Sequence, residues 1–69
     1  MSESVYKVIE LIGSSTVSWE DAAKNAIVKA SKSLRDLRIA EVLAQDIHLK
    51  DWKIEFYRTK IKLSFKYEA

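Results

Sequence analysis

From Tyr57 to Tyr67 the chain alternates without a break. Tyr57, Thr59, Ile61, Leu63, Phe65 and Tyr67 are apolar or β-branched, and Arg58, Lys60, Lys62, Ser64 and Lys66 stand between them. A period of two puts one set on each face of a strand, so the segment predicts a long β-strand with a dry face and a wet face. A dry strand face has to be covered, and the rest of the chain must supply the cover.

Val5 to Ile12 is rich in β-branched and aromatic residues and is followed by Gly13-Ser14-Ser15. It predicts a first strand that stops at those small residues. Ser18-Trp19-Glu20-Asp21 resembles a capping box, with the Ser18 hydroxyl placed to accept from the Asp21 amide and two carboxylates in the positively polarised first turn. Apolar or small residues then fall at Trp19, Ala22, Ala23, Ala26, Ile27, Ala30 and Leu34, a 3.6-residue period that predicts a helix from Trp19 to about Arg35. Its stripe is mostly alanine, which lets the helix lie close to a sheet. Ile39 to Leu49 has strand content again, and Lys50-Asp51-Trp52-Lys53 is a polar turn before the last strand.

Strands joined by a tight turn pair antiparallel, whereas strands on either side of a helix crossover run parallel if they are neighbours. Placing the third strand between the first and second satisfies both conditions. The expected fold is α+β, strand-helix-strand-strand, with a three-stranded antiparallel sheet packed on one helix. One domain spans 1–69, with 1–4 as a flexible N-terminus.

A chain of 69 residues buries only about 60% of the surface its unfolded form exposes, so its core needs help. With no cysteine, disulfides and thiolate metal sites are excluded, and the single His48 argues against a histidine-based zinc site within one subunit. Oligomerisation is the remaining common remedy, and it also covers the two open edges of a three-stranded sheet. No apolar run approaches the roughly 20 residues of a membrane span, and the start lacks the layout of a secretory signal, so a cytoplasmic protein without membrane contact is expected. Twelve basic residues stand against ten acidic ones, a net charge of +2. Charge so mixed does not favour nucleic acid as a partner.

The order of these elements and the residues at their junctions resemble the dodecin family. Val5-Tyr6-Lys7-Val8-Ile9-Glu10-Leu11-Ile12-Gly13-Ser14-Ser15 is similar to the family's opening strand, and Ser18-Trp19 through Ala30 to its alanine-rich helix. Leu37-Arg38-Ile39-Ala40-Glu41-Val42 resembles the second strand's beginning, and Tyr57-Arg58 through Ser64-Phe65-Lys66 the closing strand. The resemblance covers nearly the whole chain. It implies a hollow homododecamer that stores or sequesters a small ligand without catalysis, classically a flavin such as FMN or riboflavin stacked on tryptophan at a subunit interface.

Position by position, the family's stacking tryptophan falls at Ile39 and its flavin-contacting glutamine at Arg58. Isoleucine offers no π-face, forfeiting roughly 0.5–1.5 kcal/mol per aromatic pair. Arginine keeps donors only, so the donor-acceptor contact of an amide is lost. Both changes argue against flavin bound in the usual way. The stretches Val5-Tyr6-Lys7-Val8-Ile9, Thr16-Val17-Ser18-Trp19-Glu20, Asp36-Leu37-Arg38-Ile39-Ala40, Ala44-Gln45-Asp46 and Leu63-Ser64-Phe65-Lys66 are similar to the calcium-binding branch. That resemblance implies calcium, with ligands it does not assign, and no stretch here follows an EF-hand loop.

The candidate site residues carry bland readings beside sharp ones. Ile39 either lines a ligand pocket or is a buried interface residue. Arg58 either clamps an anionic ligand or forms an ion pair with Glu41 or a neighbouring subunit. Trp52 is either exposed or inserted into a neighbour, and it is the aromatic to examine if one stacks on a ligand. Trp19 is expected to pack, and His48 to lie on a surface or interface. Gly13-Ser14-Ser15-Thr16, before a helix start, is a weak anion-binding candidate. No nucleophile has a base at recognisable spacing, so an enzyme is not expected. The alternatives are a flavin dodecin with a changed pocket and a structural or interaction module with no small ligand.

Overall fold

The computed structural model describes residues 5–66. The expected flexible N-terminus at 1–4 and the alternation's last member, Tyr67, lie outside the described residues. Four elements follow in the expected order: β1 (Tyr6–Ser15), α1 (Trp19–Ser31), β2 (Leu37–Lys50) and β3 (Lys53–Lys66). The sheet order is β1-β3-β2 and both pairings are antiparallel. No helix among the described residues is long and apolar enough to cross a membrane.

The alternation works as predicted. Thr59, Ile61 and Leu63 are buried beneath α1, and Arg58, Lys60, Lys62 and Ser64 project from the opposite face. The helix contributes Ala22, Ala26 and Ala30 as its buried stripe, with Ile9, Leu11, Ala23, Ile27, Leu34 and Leu37 packed around them. Ser18 caps the helix by accepting from the Asp21 amide at 3.0 Å, as the capping box requires.

Three boundaries differ from expectation, each for a local reason. β1 runs on through Gly13-Ser14-Ser15 instead of stopping there, with Gly13 opposite Thr59 in the ladder. The glycine serves a close approach: a Cβ at Gly13 would lie 2.0 Å from the Ala22 carbonyl oxygen and 3.0 Å from the Ala26 Cβ. The helix ends at Ser31 rather than near Arg35. Ser33 and Leu34 both return their amides to the Ala30 carbonyl, and Asp36 at φ 57° turns the chain into β2. Leu34 nevertheless packs on the core, as its place in the stripe suggested. The polar turn shrinks to Asp51 and Trp52, since β2 and β3 pair up to Lys50 opposite Lys53.

The β2–β3 ladder carries three irregularities, where Arg38 and Leu43 on β2 and Glu55 on β3 are each left without a partner. Such bulges bend and twist a strand pair. The helix lies over β1 and β3, and Leu37 is the one half-buried residue of β2, the others being exposed. The subunit exposes 5526 Å², whereas a compact monomer of 8.0 kDa exposes roughly 4,450 Å². Its extents of 54 × 20 × 15 Å explain the excess. The fold leaves bare one sheet face, both sheet edges and the hairpin end.

Candidate functional site

The residues expected to meet a ligand lie on the sheet face away from α1, because residues directly opposite in a ladder share a face. Ile39 stands opposite Ser64, which in turn faces Val8 on β1. With Ile39 65%, Val8 51% and Tyr6 48% exposed, this end of the face is apolar at its edges and small at its centre. Ile39 is therefore not a buried residue within the subunit. Arg58 is on the same face, opposite Asp46 and Ser14. Six residues of β3 separate it from Ser64, about 20 Å at 3.3 Å per residue. One chain thus cannot bring Ile39 and Arg58 to a single small ligand.

Arg58 is committed within the chain. Its Nε donates to Asp46 Oδ1 at 2.7 Å and one terminal nitrogen donates to Oδ2 at 2.6 Å, a two-point fork of the kind arginine makes with carboxylates. The partner is Asp46 rather than Glu41, which stands opposite Lys62. Those hydrogen bonds hold the Asp46 carboxyl below the usual carboxylate range and raise the guanidinium further. Asp46 also ties this face to the helix, since its carbonyl accepts from the Trp19 indole nitrogen at 3.0 Å. Trp19 packs edge-on against Tyr57 at 5.0 Å, the packing role expected of it. Elsewhere on the face Lys60 lies 3.5 Å from Glu10, so two of the basic residues of β3 there are answered by carboxylates.

A titration test follows from the depressed Asp46. The pair's contribution is complete above the carboxylate's ordinary range and is lost as pH falls through the lower folded value. Both groups are exposed, so the effect on stability is small. NMR titration of the Asp46 carboxyl should give a midpoint below that of an ordinary aspartate, and Arg58→Gln should move it upward. An unmoved midpoint would mean that the fork does not persist in solution.

The other candidates separate clearly. The Gly13–Thr16 stretch is not set up for an anion: the Ser15 hydroxyl donates to Asp21 and accepts from the Val17 amide, and the Ser14 carbonyl accepts from Asn25. His48 Nδ1 is 2.8 Å from Glu55 Oε1, and its ring lies flat on Phe56 at 4.6 Å. Trp52 projects from the hairpin turn and is 99% exposed. Among the described residues no three His, Cys, Asp or Glu side chains are grouped to hold a metal. A recess of about 510 Å³ lies between α1 and β1 and includes Leu11, Ala26, Lys29 and Leu34. Sequence reasoning missed both Asp46 as the partner of Arg58 and this recess.

One helix laid across a curled sheet, with the last strand in the centre, defines a small class of strand-helix-strand-strand subunits. Within that class the chain belongs to the dodecin family, whose family model matches residues 5–68. It is 46% identical over 63 residues to "Calcium dodecin" of Mycobacterium tuberculosis, spanning 91% of this chain and 89% of that protein. The crystal structure of that calcium dodecin, described as having a novel calcium-binding site, matches with a TM-score of 0.85 over 96% of this chain and 94% of its own. The dodecin from Streptomyces coelicolor matches with a TM-score of 0.94 at 32% identity, covering 100% of this chain and 99% of that one.

Proposed function

We propose that the chain is the subunit of a non-catalytic homododecamer that binds and stores a small ligand, and that the ligand is a divalent cation, calcium first, rather than a flavin. The observation that carries the cation is the 46% identity to a calcium dodecin along nine-tenths of both chains. Assembly is supported by the subunit's surface, 5526 Å², with a bare sheet face and open edges.

Calcium takes six to eight oxygen ligands, which carboxylates, backbone carbonyls and waters supply. Among the described residues of one chain, no three His, Cys, Asp or Glu side chains are grouped to hold a metal. A site built from the described residues draws its ligands from more than one copy, or from carbonyls and water together with few carboxylates. Flavin is disfavoured at both family positions. Ile39 offers no aromatic face, and the Arg58 guanidinium is occupied by Asp46.

Three measurements on the purified protein test the reading. Light scattering at micromolar concentration should give a mass near twelve times 8.0 kDa. Calorimetry should show calcium binding, and riboflavin should neither bind nor lose fluorescence. The double variant I39W/R58Q should gain riboflavin affinity by roughly tenfold, the equivalent of one added aromatic stack. Riboflavin quenched by the unmodified protein, or an intact assembly that takes no calcium, would sink the ligand assignment.

A further inference from the structure

The end of the β2–β3 hairpin combines two features that work against an isolated subunit. Trp52 is 99% exposed, with Leu49 at 61% and Ile54 at 52% beside it. Asp51 and Trp52 take φ of 52° and 65°, the left-handed pair of a two-residue hairpin turn in which Asn-Gly or Asp-Gly is favoured. Aspartate tolerates that region, whereas a bulky aromatic there is a true outlier. Glycine would relieve the turn, so the indole is held outward at a cost in backbone strain. Behind it the stem is braced by the His48–Phe56 stack and the 2.8 Å approach of His48 Nδ1 to Glu55 Oε1.

The recess between α1 and β1 is of the opposite shape. Leu11, Ala26, Ala30 and Leu34 give it apolar walls, Lys29 and Asn25 stand among its lining, and its volume is about 510 Å³. Ala26 and Ala30 of the stripe leave room between the helix and β1. Its lysine is opposite in charge to Asp51 of the turn.

We propose that Trp52 of one copy inserts into the α1–β1 recess of a second copy, with Asp51 beside Lys29 of that copy. The proposal rests on the oligomeric reading above and names its contact. Knob and recess are different surfaces of one chain, so two copies can exchange them about a twofold axis, or successive copies can join head-to-tail and close into a ring. Burying the indole removes a large apolar surface from water, from a subunit whose 5526 Å² is more than its size requires. The turn carries Asp51 between Lys50 and Lys53. That mixture of signs suits a protein surface better than an anionic membrane, which selects clustered basic residues.

The test uses the full chain at micromolar concentration. The Trp52 signal is the difference between wild-type fluorescence and that of W52F. In the assembly it should be blue-shifted and several-fold less open to acrylamide than N-acetyltryptophanamide. An assembly in which Trp52 is as open to the quencher as the free indole overturns the proposal while leaving the oligomer intact. A mass near 8.0 kDa overturns both. A blue shift that appears only with anionic lipid vesicles assigns the tip to a membrane and also overturns it. Charge exchange gives a second readout: K29E should raise the dissociation concentration roughly tenfold in the wild-type background, and lower it in the D51K background. The same effect of K29E in both backgrounds rules out the pairing.

Discussion

Replacing Gly13 with alanine should cost about 3 kcal/mol, toward the upper end for an overpacked site. The new methyl would sit 2.0 Å from a helix carbonyl oxygen and 3.0 Å from the Ala26 Cβ. Neither obstacle is the loose end of a flexible side chain. The first turns of α1 would have to lift from β1, and that lift also pulls Ala22 and Ala26 from the core they seal. For a domain of this size the penalty lowers the melting temperature by roughly 12–24 °C. Thermal unfolding followed by circular dichroism, at a fixed protomer concentration, measures it. The protomer concentration must be held because assembly adds to apparent stability. An unchanged melting temperature would mean that the helix seats less closely than the structure shows.

Leu63→Ala should be of comparable severity, about 2–5 kcal/mol as for other buried leucines. Leu63 is 1% exposed and lies in the middle strand between Ile9 of β1 and Ala40 of β2. Ala26 and Ala30 belong to the same buried cluster. The helix alanines Ala26 and Ala30 are too short to reach across and refill the space. Denaturant unfolding at fixed protomer concentration should show the midpoint fall with little change in slope. Leu63→Met, which keeps the volume, should cost less than about 1.5 kcal/mol. Equal losses for the two variants would show that volume at this position is not what holds the sheet to the helix.

Much of this fold was legible because its decisive elements obey simple periods. The alternation from Tyr57 to Phe65 fixed which residues face the helix, and the alanines of α1 fixed which side of the helix faces them. The Ser18 cap was equally plain, since the serine and the acceptor geometry are local. What was not legible depends on distance in sequence. Gly13 looks like a strand breaker until the Ala22 carbonyl is placed against it. Arg58 shows no sign of its partner because a plain hairpin closed at Lys50 and Lys53 would set it opposite Gln45. The extra residue at Glu55 moves the register by one and delivers Asp46 instead, and bulges of this kind carry no strong sequence mark. The bend after Ser31 was hidden in a similar way, because no glycine or proline announces it and Asp36 makes the turn.

The placement of β3 between the other strands also determines when the molecule becomes a molecule at all. β1 and β2 do not touch each other, and every rung of both ladders has its second half in Lys53–Lys66. Everything before residue 53 possesses a helix and two solitary extended segments, with no ladder between them. The hairpin partner is close at hand in sequence, while the Tyr6–Lys66 rung closes a loop of some sixty residues, the slower kind of event. A chain stopped short of β3 therefore holds no partial sheet in reserve, and synthesis must reach that strand before any rung of the sheet can exist.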